Sequence, residues 1–198
     1  GVGMALFSYK TGVWPISLEI AGARLSLNQD GSVQLQVGAT EIGQGADTVF
    51  SQMAAETLHM DISRVHIVTQ QDTDVTPFDT GAYASRQSFV TGTAVKECAQ
   101  QLKQKILEYA RTLVPGNVDR LELEDGYILA DGKPAISLED LAMESYYSLS
   151  NSSVLTAEVS RQVKKNTVAS GCCFAEVEVD MKLGKIKVLD IVNVHDSG

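Results

Sequence analysis

Three cysteines and three histidines in 198 residues leave little from which a protein-ligated metal centre could be built. Cys98 falls on the apolar stripe of a helical pattern and reads as core. Cys172 and Cys173 are adjacent and lead into a strand, where their side chains point to opposite faces. No spacing among them resembles a zinc or iron–sulfur set. His59, His66 and His195 are scattered, and each reads as structural rather than as a ligand. Basic residues are also short: 16 Lys and Arg stand against 25 Asp and Glu, for a net charge of −9. With no basic stripe to displace counterions, nucleic acid is excluded as a partner. No apolar run approaches the ~20 residues that span a bilayer, so no membrane-spanning helix is expected. The opening Gly1-Val2-Gly3-Met4 lacks the basic-then-apolar layout of a secretion signal.

What is present suits a soluble globular piece. Hydrophobic content of 44% and charged content of 21% are ordinary. A chain of this length buries roughly 70% of its unfolded surface, enough for one sizeable core or two small ones. The pattern predicts an α+β class, with two-layer sandwiches of mixed or antiparallel sheet carrying helices on one face. Leu18 to Leu27 and Ser32 to Val37 flank the turn residues Asn28-Gln29-Asp30-Gly31 as a hairpin. A second hairpin surrounds Glu124-Asp125-Gly126, and a third pairs Phe174 to Asp180 with Lys185 to Val194. Ser137 with Asp140 three residues on marks a capped short helix. Pro115-Gly116-Asn117 ends a long helix, which predicts two subdomains, 1–115 and 116–198. The polar, serine-rich stretch 149–166 reads as flexible.

Chemistry concentrates at two junctions. Val33, Leu35 and Val37 alternate like a half-buried strand, and Ala46, Val49, Phe50, Met53, Ala54 and Leu58 fall three or four apart like a helix. Between them lies Thr40-Glu41-Ile42-Gly43-Gln44-Gly45. Glycines there allow a sharp turn and close backbone approach to a ligand, and the first helical turn offers N–H groups to an anion. It is neither a dinucleotide fingerprint, which wants a third glycine, nor a phosphate loop, since Gly45 is followed by Ala46-Asp47-Thr48. A plain strand-to-helix turn is the alternative. The second junction follows Val65-His66-Ile67-Val68, where turn-rich residues 72–81 lead to Ala82-Tyr83-Ala84-Ser85-Arg86-Gln87 and a long apolar stripe. Ser85 is a natural N-cap, and Arg86 offers the charge the first loop lacks.

Both segments resemble the cofactor-binding region of the xanthine dehydrogenase and aldehyde oxidase family of molybdenum hydroxylases. The residues carrying the resemblance are Glu41 to Gly45 with Thr48, Gln52 and Glu56, then Asp72-Thr73-Asp74, Pro77 and Gly81 to Arg86 with Gly92. A third set is Ala175 to Asp180 with Gly184 and the closing Asp196-Ser197-Gly198. With Gly1 to Ala5 the similarity spans nearly the whole chain, and bacterial xanthine dehydrogenase is the branch it looks most like. The family's glutamate base sits in a Gly-Glu-Pro-type motif, and no Gly-Glu pair occurs here. The chain is therefore expected to be an inactive piece of a longer cytoplasmic subunit.

The resemblance implies a molybdenum–pterin cofactor, compatible with its dinucleotide form, in which the pterin dithiolene holds the metal. No protein metal ligand and no catalytic residue is expected in these residues. Iron–sulfur clusters and FAD are implied on other domains or subunits. The parent reaction would be hydroxylation of an electron-poor carbon of a purine or other heterocycle, with water as the oxygen source. Absence of cysteine between Gly81 and Gly92 argues against the copper-dependent carbon monoxide branch. Cofactor-binding residues carried over are Gly43, Gln44, Gly45, Ala84, Ser85, Arg86 and Gln87. Each has a plainer reading beside it: Gln44 as a turn residue, Ser85 as a helix cap, Arg86 as a partner of Asp79 or Asp72. Glu41 reads as a structural carboxylate satisfying loop amides. The alternatives of another class are a non-catalytic phosphoanion-binding module at the two helix starts and a purely structural assembly domain. Within the family, an aldehyde or other N-heterocycle oxidase also stays open.

Overall fold

Alternation along β3 (Val33–Val37) buries Val33, Leu35 and Val37 completely while Gln34 faces solvent. Its antiparallel partner β2 (Ile20–Leu27) sets Leu25 opposite Leu35 and Leu27 opposite Val33. The predicted turn closes this hairpin: Asp30 accepts from the Ser32 N–H at 2.9 Å, and Gly31 adopts φ 72°. β4 (Val65–Ile67) adds in parallel to β3 and β8 (Thr156–Gln162) antiparallel to β2, giving the mixed order β4-β3-β2-β8. The computed structural model describes residues 1–196, so Ser197 and Gly198 of the third motif lie outside the described residues.

Two helices cover this sheet with the apolar stripes read from sequence. From α1 (Ala46–Leu58) come Phe50, Ala54 and Leu58; from α2 (Gln87–Leu113) come Val90, Ala94, Cys98, Leu102, Ile106 and Ala110. The helices cross where α2 lacks a side chain. A Cβ at Gly92 would sit 2.7 Å from the Met53 sulfur. β5 (Leu121–Glu124), β6 (Tyr127–Ala130) and β7 (Lys133–Ser137) form a small antiparallel sheet. It leads into α3 (Leu138–Tyr147), whose first turn is capped as expected: the Ser137 hydroxyl accepts from the Asp140 N–H at 3.0 Å.

A third sheet is built from β1 (Val2–Lys10), β9 (Val168–Asp180) and β10 (Lys185–Asp196) in the order β1-β9-β10. No helix covers it among the described residues, and β1 and β10 are exposed along their whole length. The α+β class holds, with three helices and three sheets among the described residues; the β1-β9-β10 sheet is the one that carries no helix on a face there.

The division at 115/116 does not follow strand pairing. After the β5–β7 sheet the chain returns, β8 joining β2 and β9 joining β1, so strands from both sides of that boundary share sheets. The stretch 149–166 is corrected for the same reason. It contains β8, whose only inward side chains are Ala157 and Val159, set opposite Leu25 and Ala23. Two modest apolar residues among polar ones give a weak local pattern. The strand exists because β2 has an open edge to pair with.

Candidate functional site

The two junctions meet because the turn-rich loop 72–80 is sewn across the end of the central hairpin. The Gly22 N–H donates to the Phe78 carbonyl at 2.8 Å, and Ala21 bridges to Asp79. Gly38 makes this approach possible. A Cβ there would lie 2.1 Å from the Pro77 carbonyl oxygen.

At the first junction Gly43 (φ 95°) and Gly45 (φ 84°) are left-handed, a region that favours glycine. Glu41 sits inside the loop they make. Its carboxylate accepts from the N–H groups of Gly43 at 2.7 Å, Gly45 at 3.0 Å and Asp47 at 3.1 Å. The structural role read for Glu41 is the observed one. It also corrects the expectation that this helix start would grip an external anion, since those amides already hold an internal carboxylate.

The same bonds, that from Asp47 foremost and then that from Gly45, hold the Glu41 carboxyl below the ordinary glutamate range. Burial, reinforced by the Glu41 charge, raises the neighbouring Asp47. A depressed folded-state pKa contributes stability above the unfolded value and loses it as pH falls through the folded one. Protection of the Gly43, Gly45 and Asp47 amides from hydrogen exchange is therefore expected to persist above about pH 4 and to fall in more acid solution. Glu41→Gln should flatten that pH dependence. Protection independent of both pH and the substitution would show that the carboxylate does not order the loop.

Gln44 ties the junctions to each other. Its amide oxygen accepts from the Ile42 N–H at 2.6 Å, while its nitrogen donates to the Thr40 carbonyl at 2.9 Å and to Gln87 Oε1 at 2.5 Å. The Gln87 nitrogen donates to the same Thr40 carbonyl at 3.2 Å. Gln44 and Gln87, 43 residues apart, thus line one cleft of about 470 Å³ with Tyr9, Val49, Tyr83, Ala84 and Ser85.

The second junction turns through two consecutive left-handed non-glycine residues, Ala84 (φ 48°) and Ser85 (φ 52°). Each costs roughly 1–2 kcal/mol. Such strain is concentrated at ligand clamps and active sites. Ser85 is not the N-cap. That position belongs to Arg86, and no side chain caps the helix. Among the described residues no acceptor meets the N–H groups of Ala84, Ser85, Gln87 or Ser88. They stand at the positive end of a 27-residue helix, on the wall of the cleft.

Arg86 does not supply charge to a ligand. Its guanidinium is fully buried and donates to Glu19 Oε2 at 2.5 Å, Asp79 Oδ1 at 2.5 Å, the Gly81 carbonyl at 3.0 Å and the Ile20 carbonyl at 2.8 Å. Burial pulls its pKa down, but the two carboxylates more than offset this and raise it above the ordinary value. The pairing with Asp79 that the sequence left open is the observed one. Glu19 was not singled out from sequence. Its signal was an acid between Leu18 and Ile20, where a buried charge needs a cation.

Cys98 is core, as read: its Sγ lies 3.2 Å from the Ala157 carbonyl, and burial pushes its pKa to about 11, which makes it unreactive. His59 pairs with Glu124 at 2.6 Å, away from the cleft. Among the described residues no group of three or more His, Cys, Asp and Glu is arranged to hold a metal ion.

Comparison with known proteins supplies the remaining observations. The family model described as "Molybdopterin cofactor-binding domain" matches residues 1–198. The xanthine dehydrogenase molybdenum-binding subunit of Escherichia coli O157:H7 is 49% identical over 201 residues, covering 100% of this chain and 27% of its own length. The chain thus spans about a quarter of that curated relative. Among solved structures, the reconstituted CO dehydrogenase from Oligotropha carboxidovorans matches with a TM-score of 0.85 and 24% identity, over 100% of this chain and 26% of that one. Quinoline 2-oxidoreductase from Pseudomonas putida 86 matches with a TM-score of 0.79 and 23% identity, over 100% and 27%. These two likenesses concern the fold.

Proposed function

We propose, because this chain belongs to the molybdopterin cofactor-binding domain family, that its two-loop cleft holds the pterin of a molybdenum cofactor within a longer xanthine dehydrogenase-type hydroxylase. The observation that carries this reading is the start of α2. Four N–H groups there lack acceptors among the described residues, beside the small Ala84 and the paired amides of Gln44 and Gln87. An anionic, acceptor-rich ligand fits such a wall. When bound, the cofactor supplies the two-electron chemistry of hydroxylation. This chain supplies donors, shape and fixed geometry.

In this reading Ser85, through its N–H and hydroxyl, and Gln87 donate to the ligand, while Ala84 leaves room for it. Gly43 and Gly45 shape the first loop, and Gln44, whose two amide N–H groups serve the Thr40 carbonyl and Gln87 Oε1, fixes that loop against the start of α2 on the cleft wall. Arg86 acts from within, by holding the turn. Among the described residues no Asp or Glu lines the cleft, and Glu41 is committed to its loop, so this reading assigns proton transfer to residues outside this chain. In this reading the pterin, rather than side chains of this chain, would carry the metal. Similarity to a xanthine dehydrogenase subunit supports purines as the substrate class of the parent. Iron–sulfur clusters and flavin belong to other domains or subunits in this reading, and a cytoplasmic parent is part of it. The bare β1-β9-β10 sheet, with Met4 60% and Leu6 73% exposed, supports coverage by further polypeptide. A free phosphoanion module is less well supported, because one of its two helix starts is closed by Glu41.

The test is the parent purified from its native host. Near-stoichiometric pterin and molybdenum are expected, with anaerobic oxidation of xanthine by an artificial electron acceptor; this chain alone, given the same cofactor, should show no turnover. The nucleotide freed on denaturation identifies the mononucleotide or dinucleotide form. A parent without pterin and molybdenum would sink the proposal.

A further inference from the structure

We infer that Glu19 is a positioning residue for the cofactor cleft, holding the left-handed Ala84–Ser85 turn through Arg86; this rests on the function proposed above. Glu19 is 0% exposed and comes from 67 residues before Arg86. One carboxylate oxygen accepts from Arg86 Nε at 2.5 Å and the other from the Val13 N–H at 2.6 Å. Next to Val13, the Gly12 N–H donates to the Ala84 carbonyl at 2.8 Å. The turn is therefore gripped on both sides by one carboxylate: through Gly12 and Val13 before it, and through Arg86 after it. The fit is close, since a Cβ at Gly12 would lie 2.9 Å from Glu19 Oε1. Asp79 holds a different guanidinium nitrogen and is itself held by Thr91 at 2.7 Å, so it does not replace the bond to Nε. Two non-glycine residues in left-handed conformation need such over-determination to persist. Without Glu19 the turn is free to relax, and the amides of Ala84, Ser85, Gln87 and Ser88 no longer face one ligand.

The experiment compares Glu19→Ala, Glu19→Gln and Leu102→Ala in the full-length parent. Leu102 is fully buried and lies about 20 Å along α2 from Gln87, so its variant lowers stability without touching the cleft. The readouts are pterin retained after gel filtration and hydrogen exchange of the amides at 84–88. Glu19→Ala is expected to lose about tenfold or more of its pterin affinity and to exchange correspondingly faster at the turn. Glu19→Gln, which keeps an acceptor, should fall between Glu19→Ala and wild type. Leu102→Ala should keep wild-type pterin content despite a lower unfolding midpoint. Wild-type pterin and protection in Glu19→Ala would overturn the inference, as would equal loss in Leu102→Ala. If Glu19→Ala does not accumulate as folded protein, Glu19→Gln decides, and full retention there overturns it. Absence of pterin from the wild-type parent overturns the functional reading and this inference together, whereas pterin retained by the Glu19 variants overturns this inference alone.

Discussion

Replacing Arg86 by alanine is expected to destabilise the chain by about 3–5 kcal/mol, because it leaves the buried carboxylates of Glu19 and Asp79 without their cation. Their side chains are 1% and 0% exposed, so water does not take its place. The loss is a large share of the 5–15 kcal/mol typical of a whole domain. For 198 residues it corresponds to a fall of roughly 6–20 °C in Tm. Arg86→Lys should recover only part of the loss, since one ammonium cannot serve two carboxylates and two carbonyls from the positions of a planar fork. Thermal unfolding of wild type and both variants makes the comparison. An Arg86→Ala midpoint within a degree of wild type would mean that the buried network is not the brace it resembles.

Gly45→Val in the full-length parent is expected to lower pterin and molybdenum content at least about tenfold, equivalent to about 1.4 kcal/mol of binding. Space is not the obstacle within this chain: an added Cβ at Gly45 meets nothing within 4 Å. The obstacle is φ 84°, which a β-branched residue resists. Escape to negative φ swings the Gly45 N–H off Glu41 and moves Gln44, whose amide bridges to Gln87. Gly45→Ala should show the same loss in weaker form. Far-UV circular dichroism unchanged from wild type would place the defect in the loop rather than the fold. Wild-type metal and pterin in Gly45→Val would reduce the loop to a turn.

Much of the local structure is legible in the sequence. The Asn28–Gly31 hairpin, both apolar-striped helices and the Ser137 cap rest on periodicity and turn chemistry, which act over a few residues. β1 and β8 were not legible. β1 is apolar but exposed along its whole length, and β8 offers only Ala157 and Val159 to the core. Their partners lie far off in sequence, Ala5 pairing with Cys173 and Ala23 with Val159. The same distance explains why strand pairing runs on across 115/116, where the sequence shows only that a helix ends.

The sequence by itself determined the α+β class, the two glycine-bearing junctions and the family resemblance, because each is carried by residues in a fixed local order. The tertiary structure decided which of those residues still have something to offer a ligand. Glu41 occupies the amides of its own loop, and Arg86 is committed to Glu19 and Asp79, whereas the amides from Ala84 to Ser88, that of Arg86 excepted, meet no acceptor among the described residues. A hydrogen-bond donor has a fixed capacity, and whether it is already used depends on acceptors delivered from elsewhere in the chain. Glu19, brought 67 residues to meet Arg86, leaves no mark in the spacing of the motif it supports.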